Sequence, residues 1–312
     1  MGIGNKVLIT GANGFIGAHL WRYLASLDYQ IIACTTSDDN PPQDHGATRY
    51  KLRLPDRYFE HIVSYEQPDW LIHCAGSSSV QQSIAQPSQD FENNVLATEC
   101  LFQALTAASP ATRVIFISSG AIYGNPAYLP IDERTPIQPI SIYGFHKSMC
   151  ELICQKYVVN AEIPVSILRV FSVYGPGLRK QILWDIYQKS LHAPVISLYG
   201  TGNETRDFIY IDDLAHAIDL VMRNASFDGS VVNIASGTAT TIKQLAQLMV
   251  EALDDTHSIE FLRQTRPGDP IHWQVNIDRL RALGMRSWLP IEQGIRKYVD
   301  WLKSNKRTQS CE

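Results

Sequence analysis

Thr10-Gly11-Ala12-Asn13-Gly14-Phe15-Ile16-Gly17 follows directly on the apolar run Val7-Leu8-Ile9 and leads into a helix-patterned segment at 15–27. The order strand, Gly-x-x-Gly-x-x-Gly, helix is the signature of a phosphate cradle for a dinucleotide. Gly11 lets the chain turn sharply off the strand, Gly14 leaves the backbone open to a pyrophosphate, and Gly17 lets the helix pack closely on a sheet. The pyrophosphate would rest on unpaired N–H groups at the positive end of that helix. Glycine punctuates many structural turns, so the triplet counts only because strand, glycines and helix occur together.

The 312-residue chain is 45% hydrophobic, enough to bury a full core in one large or two unequal domains. A formal net charge of −4 leaves no basic footprint, which argues against nucleic acid as a partner. No apolar stretch approaches a membrane span and the first residues lack a signal-peptide pattern, so a cytoplasmic protein with no membrane partner is expected. Gly2 invites a myristoylation check, but Lys6 stands where that motif wants Ser or Thr. Cys34, Cys74, Cys100, Cys150, Cys154 and Cys311 lack CxxC spacing and read as reduced thiols. Cys150 and Cys154 share a helix face without further ligands nearby, so no metal is expected.

Short β-rich runs at 7–9, 30–34, 70–74, 113–117 and 165–170 alternate with helix patterns at 15–27, 57–65, 91–108 and 143–160. That alternation predicts an α/β fold, a parallel sheet wound on both faces. After Val170 the pattern loosens, and turns at 174–177 and 200–203 open a smaller, mainly helical lobe. A strand at 208–211 and a helix at 213–223 read as a return to the main sheet, and 241–253 and 291–303 as helices of the lobe. The expected division is 1–172 plus 208–236 for the dinucleotide-binding domain and 173–207 plus 237–303 for the substrate lobe. Residues 38–44 read as a polar loop and 304–312 as a frayed tail.

Tyr143 and Lys147 stand four residues apart, a spacing that stacks a phenol and an ammonium on one helix face. Pro136, Pro139 and the N-cap candidate Ser141 support a helix start there. A free tyrosine titrates near pH 10, and a neighbouring Lys147 cation would favour the phenolate. Lowering that pKa by about 3 units requires about 4 kcal/mol of differential stabilisation. Ser118-Ser119 follows the strand at 113–117, at the carboxyl edge where ligands of open parallel sheets collect. A hydroxyl there can hydrogen-bond the oxygen whose proton the tyrosine removes. Taken singly, these groups would read as loop caps and a solvated helix face.

In this order the motifs resemble the extended short-chain dehydrogenase/reductase family, in its nucleotide-sugar epimerase/dehydratase branch. The resemblance runs from Lys6 to Leu302 through TGANGFIG, His73–Gly76 (HCAG), Glu92–Thr98 (ENNVLAT), Ser118–Gly124 (SSGAIYG), YGFHK, VYGPG, Arg206–Asp213 (RDFIYIDD) and Arg266–Asp269 (RPGD). It implies a doubly wound Rossmann domain with a substrate lobe, and it selects Ser119 over Ser118 beside Tyr143 and Lys147 as catalytic. It further implies cofactor contacts at Gly11, Asn13, Gly14, Phe15, Ile16, Gly17, Thr35, Arg53, Leu54, Cys74, Ala75, Gly76, Asn94 and Lys147. Asn94 has a structural and proton-relay role in relatives. Ser78, Ser172, Arg206 and Arg266 match positions on the substrate side, and paired guanidiniums suit a nucleotide diphosphate. Ser172 departs from the asparagine usual there. Trp184 reads equally as a base-stacking or a core residue. Relatives also pair the helices at 91–108 and 143–160 into a homodimer, with Leu101, Leu105, Leu152 and Ile153 as outward apolar candidates, of which some must serve the monomer core.

Relatives remove hydride from a sugar carbon, usually C4, while the tyrosine takes the hydroxyl proton. Dehydratases need an extra acid just after the catalytic hydroxyl, and here Gly120 and Ala121 stand in those positions. The leading expectation is therefore a nucleotide-sugar epimerase. An NADPH-dependent nucleotide-4-keto-sugar reductase is the alternative, and a non-catalytic dinucleotide-binding protein the remote one. The second strand normally ends in an acid that binds the adenine ribose, and Thr35 replaces it. Arg53 could reach a 2′-phosphate or face solvent, while Asp38 or Asp39 could supply a carboxylate, so NAD and NADP stay open with Thr35 leaning to NADP.

Overall fold

The computed structural model describes residues 5–37, 46–254 and 256–309. Its strands, in chain order, are β1 (Lys6–Thr10), β2 (Gln30–Thr35), β3 (Thr48–Lys51), β4 (Trp70–His73), β5 (Arg113–Ser119), β6 (Val165–Val170), β7 (Ser172–Tyr174), β8 (Val195–Leu198), β9 (Thr205–Tyr210), β10 (Asp228–Ile234), β11 (Ala239–Thr241) and β12 (Ser258–Phe261). Seven of them form one sheet in the order β10-β6-β5-β4-β1-β2-β3, with every pairing parallel. The order reverses beside β1, which places the crevice of the doubly wound fold over Gly11–Gly17.

Alternation along each strand explains why helices cover both faces. Val7 and Ile9 of β1 pack with Ile31, Ala33, Ile72 and Ile115 under helices Phe15–Ala25 and Ile211–Asn224. Leu8 points the other way and packs with Ile32, Leu71, Val114 and Phe116 under Tyr58–Glu66, Ala97–Ala108 and Ile142–Ala161. Of the four apolar candidates, Leu101 and Leu105 serve the monomer core and are fully buried, because this i, i+4 face is the one turned to the sheet. Leu152 is 70% exposed and Ile153 packs against this core.

The return to the sheet differs from the sequence reading. Residues 208–211 belong to β9, which pairs with β7 and β11 in a separate three-stranded sheet. It is β10 that rejoins the main sheet, beside β6. Helix Ile211–Asn224 does cover the main sheet as expected, by packing on Phe15–Ala25. The smaller lobe combines helices Gln181–His192, Ile242–Ala252 and Ile291–Gln309 with the three-stranded sheet and the parallel pair β8–β12. The last helix continues past Lys303 where a frayed tail was expected. Ser304 and Asn305 side chains both donate to the Trp301 carbonyl there, stabilising the turn. Gly2, the polar loop at 38–44 with the candidate acids Asp38 and Asp39, and Cys311 lie outside the described residues. Among the described residues no helix is long and apolar enough to cross a membrane.

Candidate active site

The glycine turn is shaped by what lies around it. Gly11 has φ +67°, and a Cβ there would lie 2.8 Å from the Ala75 backbone, so both conformation and closeness demand glycine. A Cβ on Gly17 would strike the Gly11 carbonyl oxygen, which is why Ile16 and Gly17 can sit so tightly on the turn. Gly14 caps helix Phe15–Ala25 with no side-chain hydrogen bond, and a Cβ there would meet only the Gly11 oxygen, at 3.1 Å. The first N–H groups of a helix have no intrahelical partner, and at Gly14 no side chain stands before them. Phe15 and His19 line the far side of this turn, next to Gly177, and the His19 Nδ1 bonds the Phe15 carbonyl at 2.8 Å.

The opposite wall is Cys74-Ala75-Gly76, at the end of β4. The Ala75 N–H donates to the Thr10 hydroxyl at 3.3 Å, and burial pushes the Cys74 thiol up to about 12, leaving it an inert apolar group. Gly76 lies against the Asn94 amide: a Cβ would come within 2.6 Å of its Oδ1. Asn94 sits in a π-helical turn, Glu92–Leu96, and donates to the Asp90 carbonyl at 3.0 Å. At the far end of the crevice Thr35 is buried, and the Asn13 amide donates to the Ser37 hydroxyl at 3.1 Å. The Leu52 N–H ties this end together by donating to the Thr35 carbonyl at 2.7 Å; Leu54 is buried and Arg53 is exposed. A cradle that side chains would fill, with open donors before it, fits a dinucleotide.

Ser119 ends β5 and Tyr143 begins helix Ile142–Ala161. The two meet because Gly144 packs on the Ala121 carbonyl, where a Cβ would be 2.5 Å away. Ser141 caps the helix as expected, accepting from the Gly144 N–H at 3.0 Å, and the Tyr143 N–H donates to Ser83 at 3.1 Å. The electrostatics differ from the sequence reading. Burial pushes the Tyr143 phenol up to about 12, a hydrogen bond with Ser119 pulls it down, and Asp90 and Cys150 push it up. The buried Lys147 ammonium donates to the Ile117 carbonyl at 2.7 Å and lies 4.4 Å over the Phe116 ring. Burial lowers the Lys147 pKa. Its charge also helps hold His73 at about 3, second to burial.

Of the residues expected on the substrate side, Ser78 accepts a hydrogen bond from the Lys180 ammonium at 2.5 Å, a contact spanning two distant segments. Burial lowers the Lys180 pKa. Sequence reading missed Lys180, whose only signal was a second cation after VYGPG-Leu-Arg. Arg206 lies over the Trp273 ring and donates to the Thr205 and Ile271 carbonyls. Arg266 lies 4.1 Å over the Tyr199 ring. Asp269 acts electrostatically with both guanidiniums, so Arg206 and Arg266 share one region. The same loop reaches the start of the helix that carries Tyr143, since a Cβ on Gly268 would be 3.1 Å from Ser141 Cβ. Ser172 begins β7, opposite Phe208. Trp184 packs beside Tyr187 against the core, the second of its two readings. Sequence reading also missed Asp90, which is buried, pairs with His146 at 2.7 Å and leaves its other oxygen without a hydrogen-bond partner.

The model of the NAD dependent epimerase/dehydratase family matches residues 7–235. A putative UDP-glucose 4-epimerase of Methanocaldococcus jannaschii is 30% identical, over 97% of this chain and 100% of that protein. The dTDP-D-glucose 4,6-dehydratase of Homo sapiens is 26% identical over 97% of this chain and 91% of its own. Among solved structures, the UDP-N-acetylglucosamine 4-epimerase of Methanobrevibacter ruminantium, in complex with UDP-N-acetylmuramic acid, superposes with a TM-score of 0.87 at 28% identity, covering 97% of this chain and 99% of that one. On these comparisons the chain belongs to the NAD dependent epimerase/dehydratase family, and is an NAD-dependent nucleotide-sugar enzyme of the extended short-chain dehydrogenase/reductase type.

Proposed function

We propose that the protein is a nucleotide-sugar epimerase working by reversible hydride transfer at C4 of the sugar. The observation that carries this reading is the meeting of Ser119 and Tyr143 beside buried Lys147, with no side chain at Gly120 to act as a further acid. Ser119 would hold the sugar hydroxyl oxygen while Tyr143 takes and returns its proton. Lys147, anchored on β5, would hold the nicotinamide ribose. The bound nicotinamide supplies the hydride acceptor and donor. Arg206, Arg266 and Lys180 offer cations of the right kind for a diphosphate. The 4-epimerase relatives support a UDP-sugar as substrate. The exposed Phe145, Leu152 and Val159 on the catalytic helix support a homodimer through that helix.

One observation favours a second reading. Thr35 puts a buried hydroxyl where a ribose-binding acid is usual, which suits a 2′-phosphate and hence an NADPH-dependent 4-keto-sugar reductase. The two readings separate on the cofactor the purified protein retains. Release by mild denaturation and mass spectrometry should find NAD, and incubation with UDP-glucose or UDP-N-acetylglucosamine should give the C4 epimer by NMR. A protein that retains NADP and consumes NADPH only with a 4-keto sugar would replace the epimerase reading.

A further inference from the structure

We propose that Phe171 fixes the reaction class of this site by filling the volume beside the catalytic hydroxyl that any side chain at position 120 would need. The inference rests on the reading of Ser119 and Tyr143 given under Proposed function. The register of β5 and β6 sets Ser119 opposite Val170, so the next residues along, Gly120 and Phe171, become neighbours. Gly120 lies outside the left-handed region of φ, so its conformation is open to other residues and only space forbids them. A Cβ there would be 2.8 Å from Cδ1 and from Cε1 of Phe171, and 3.1 Å from Cγ.

The ring has little room to yield. Phe171 is buried, and its N–H is held by the Ile234 carbonyl at 3.0 Å. Tyr123 stacks on one side at 6.1 Å between centroids, its hydroxyl fixed by Arg169 at 2.7 Å and Asn233 at 2.8 Å. Trp273 meets it edge-on at 5.2 Å, its indole N–H donating to the Gly124 carbonyl at 3.0 Å. Displacing Phe171 means displacing two anchored aromatics, and close-packed interiors resist that. The residue after Ser119 therefore stays without a side chain. A proton carrier that elimination of water would require at that point is excluded by packing as well as by sequence.

A double-mutant cycle tests the lock without any substrate. Gly120→Asp, Phe171→Ala and the double variant are compared with the parent by urea unfolding, following the whole chain. The damage from Gly120→Asp, as a change in the unfolding constant, is expected to be at least about tenfold smaller in the Phe171→Ala background. Should Gly120→Asp not fold alone, Gly120→Ala adds only the Cβ and the same sign is expected; Phe171→Leu serves if Phe171→Ala does not fold. Equal damage in both backgrounds overturns the proposal. In a separate arm the parent, given NAD and UDP-glucose, is expected to form no dehydrated sugar by mass spectrometry, and water loss by the parent overturns the proposal too. A parent inert toward every nucleotide sugar would defeat the epimerase reading, while the unfolding cycle still decides whether Phe171 excludes a side chain at 120.

Discussion

Lys147 donates to the carbonyl of Ile117 at 2.7 Å, two residues before Ser119 on the same strand. The ammonium thus ties the helix that presents Tyr143 to the strand that presents Ser119. This buried hydrogen bond joins the Gly144–Ala121 packing in setting their spacing, and charge-assisted bonds of this kind are the strong ones.

Tyr143→Phe should therefore separate chemistry from architecture. Removing one hydroxyl keeps the ring and its packing, so cofactor affinity by calorimetry should hold while turnover falls by about 10²–10⁴-fold or more. Lys147→Ala should lose both, because the strand anchor goes with the charge. Near-normal turnover in Tyr143→Phe with an authentic substrate would reject the mechanism.

His73 should make folding acid-sensitive. Burial first, then Lys147, holds its ring neutral, with a pKa of about 3 in the fold against an ordinary 6.5. Its contribution to stability is present above 6.5, and falls as pH drops toward 3, since only the unfolded chain then takes up the proton. The loss should reach about 1.4 kcal/mol between pH 7.5 and 5.5. Urea midpoints for the parent and His73→Asn measure it: the variant should show a flatter decline, and parallel curves would refute the assignment.

Lys180→Met should weaken nucleotide binding selectively. Among the described residues the hydrogen-bond partner of Lys180 is the neutral Ser78 hydroxyl, so an anion can recruit it at little loss. One charge-assisted contact corresponds to about a tenfold change in the dissociation constant of uridine diphosphate. Cofactor affinity, set on the other side of the crevice, should not move. Unchanged diphosphate affinity would remove Lys180 from the site.

Phe145, Leu152 and Val159 are 58%, 70% and 75% exposed and recur every seven residues along one helix face. Leu152→Glu puts a charge in the middle of that stripe. Sedimentation should show a dimer for the parent and a larger monomer fraction for the variant. A parent that is monomeric at micromolar concentration would contradict the interface.

If the second reading holds and Thr35 faces a 2′-phosphate, Thr35→Asp should shift cofactor preference toward NAD. A new carboxylate about 4 Å from a 2′-phosphate costs about 4 kcal/mol at an effective dielectric near 20, and solvent would reduce this. A tenfold change in preference needs only about 1.4 kcal/mol. Titrating wild type and variant with both cofactors decides it, and a clear wild-type preference for NAD would defeat the NADP reading.

Local chemistry was legible in the chain. The continuous apolar run Val7-Leu8-Ile9 suits a strand buried on both faces, and the Ser141 cap acts within a few residues of itself. β3 escaped because Thr48-Arg49-Tyr50-Lys51 is a polar edge, where an exposed strand has no apolar pattern to show. The segment at 208–211 read as a core strand because its composition is right, yet composition does not name a partner, and β10 took the place beside β6.

What the sequence determined by itself was the kind of site: a glycine cradle, a hydroxyl at a strand end, and a phenol and ammonium one helical turn apart. These follow from backbone requirements and short spacings that any correct fold must respect. The tertiary structure decided which groups meet. Lys147 reaches Ile117, Lys180 reaches Ser78, and Phe171 closes on Gly120 only through strand order, register and close packing, and these couple residues too far apart in the chain for local pattern to reveal.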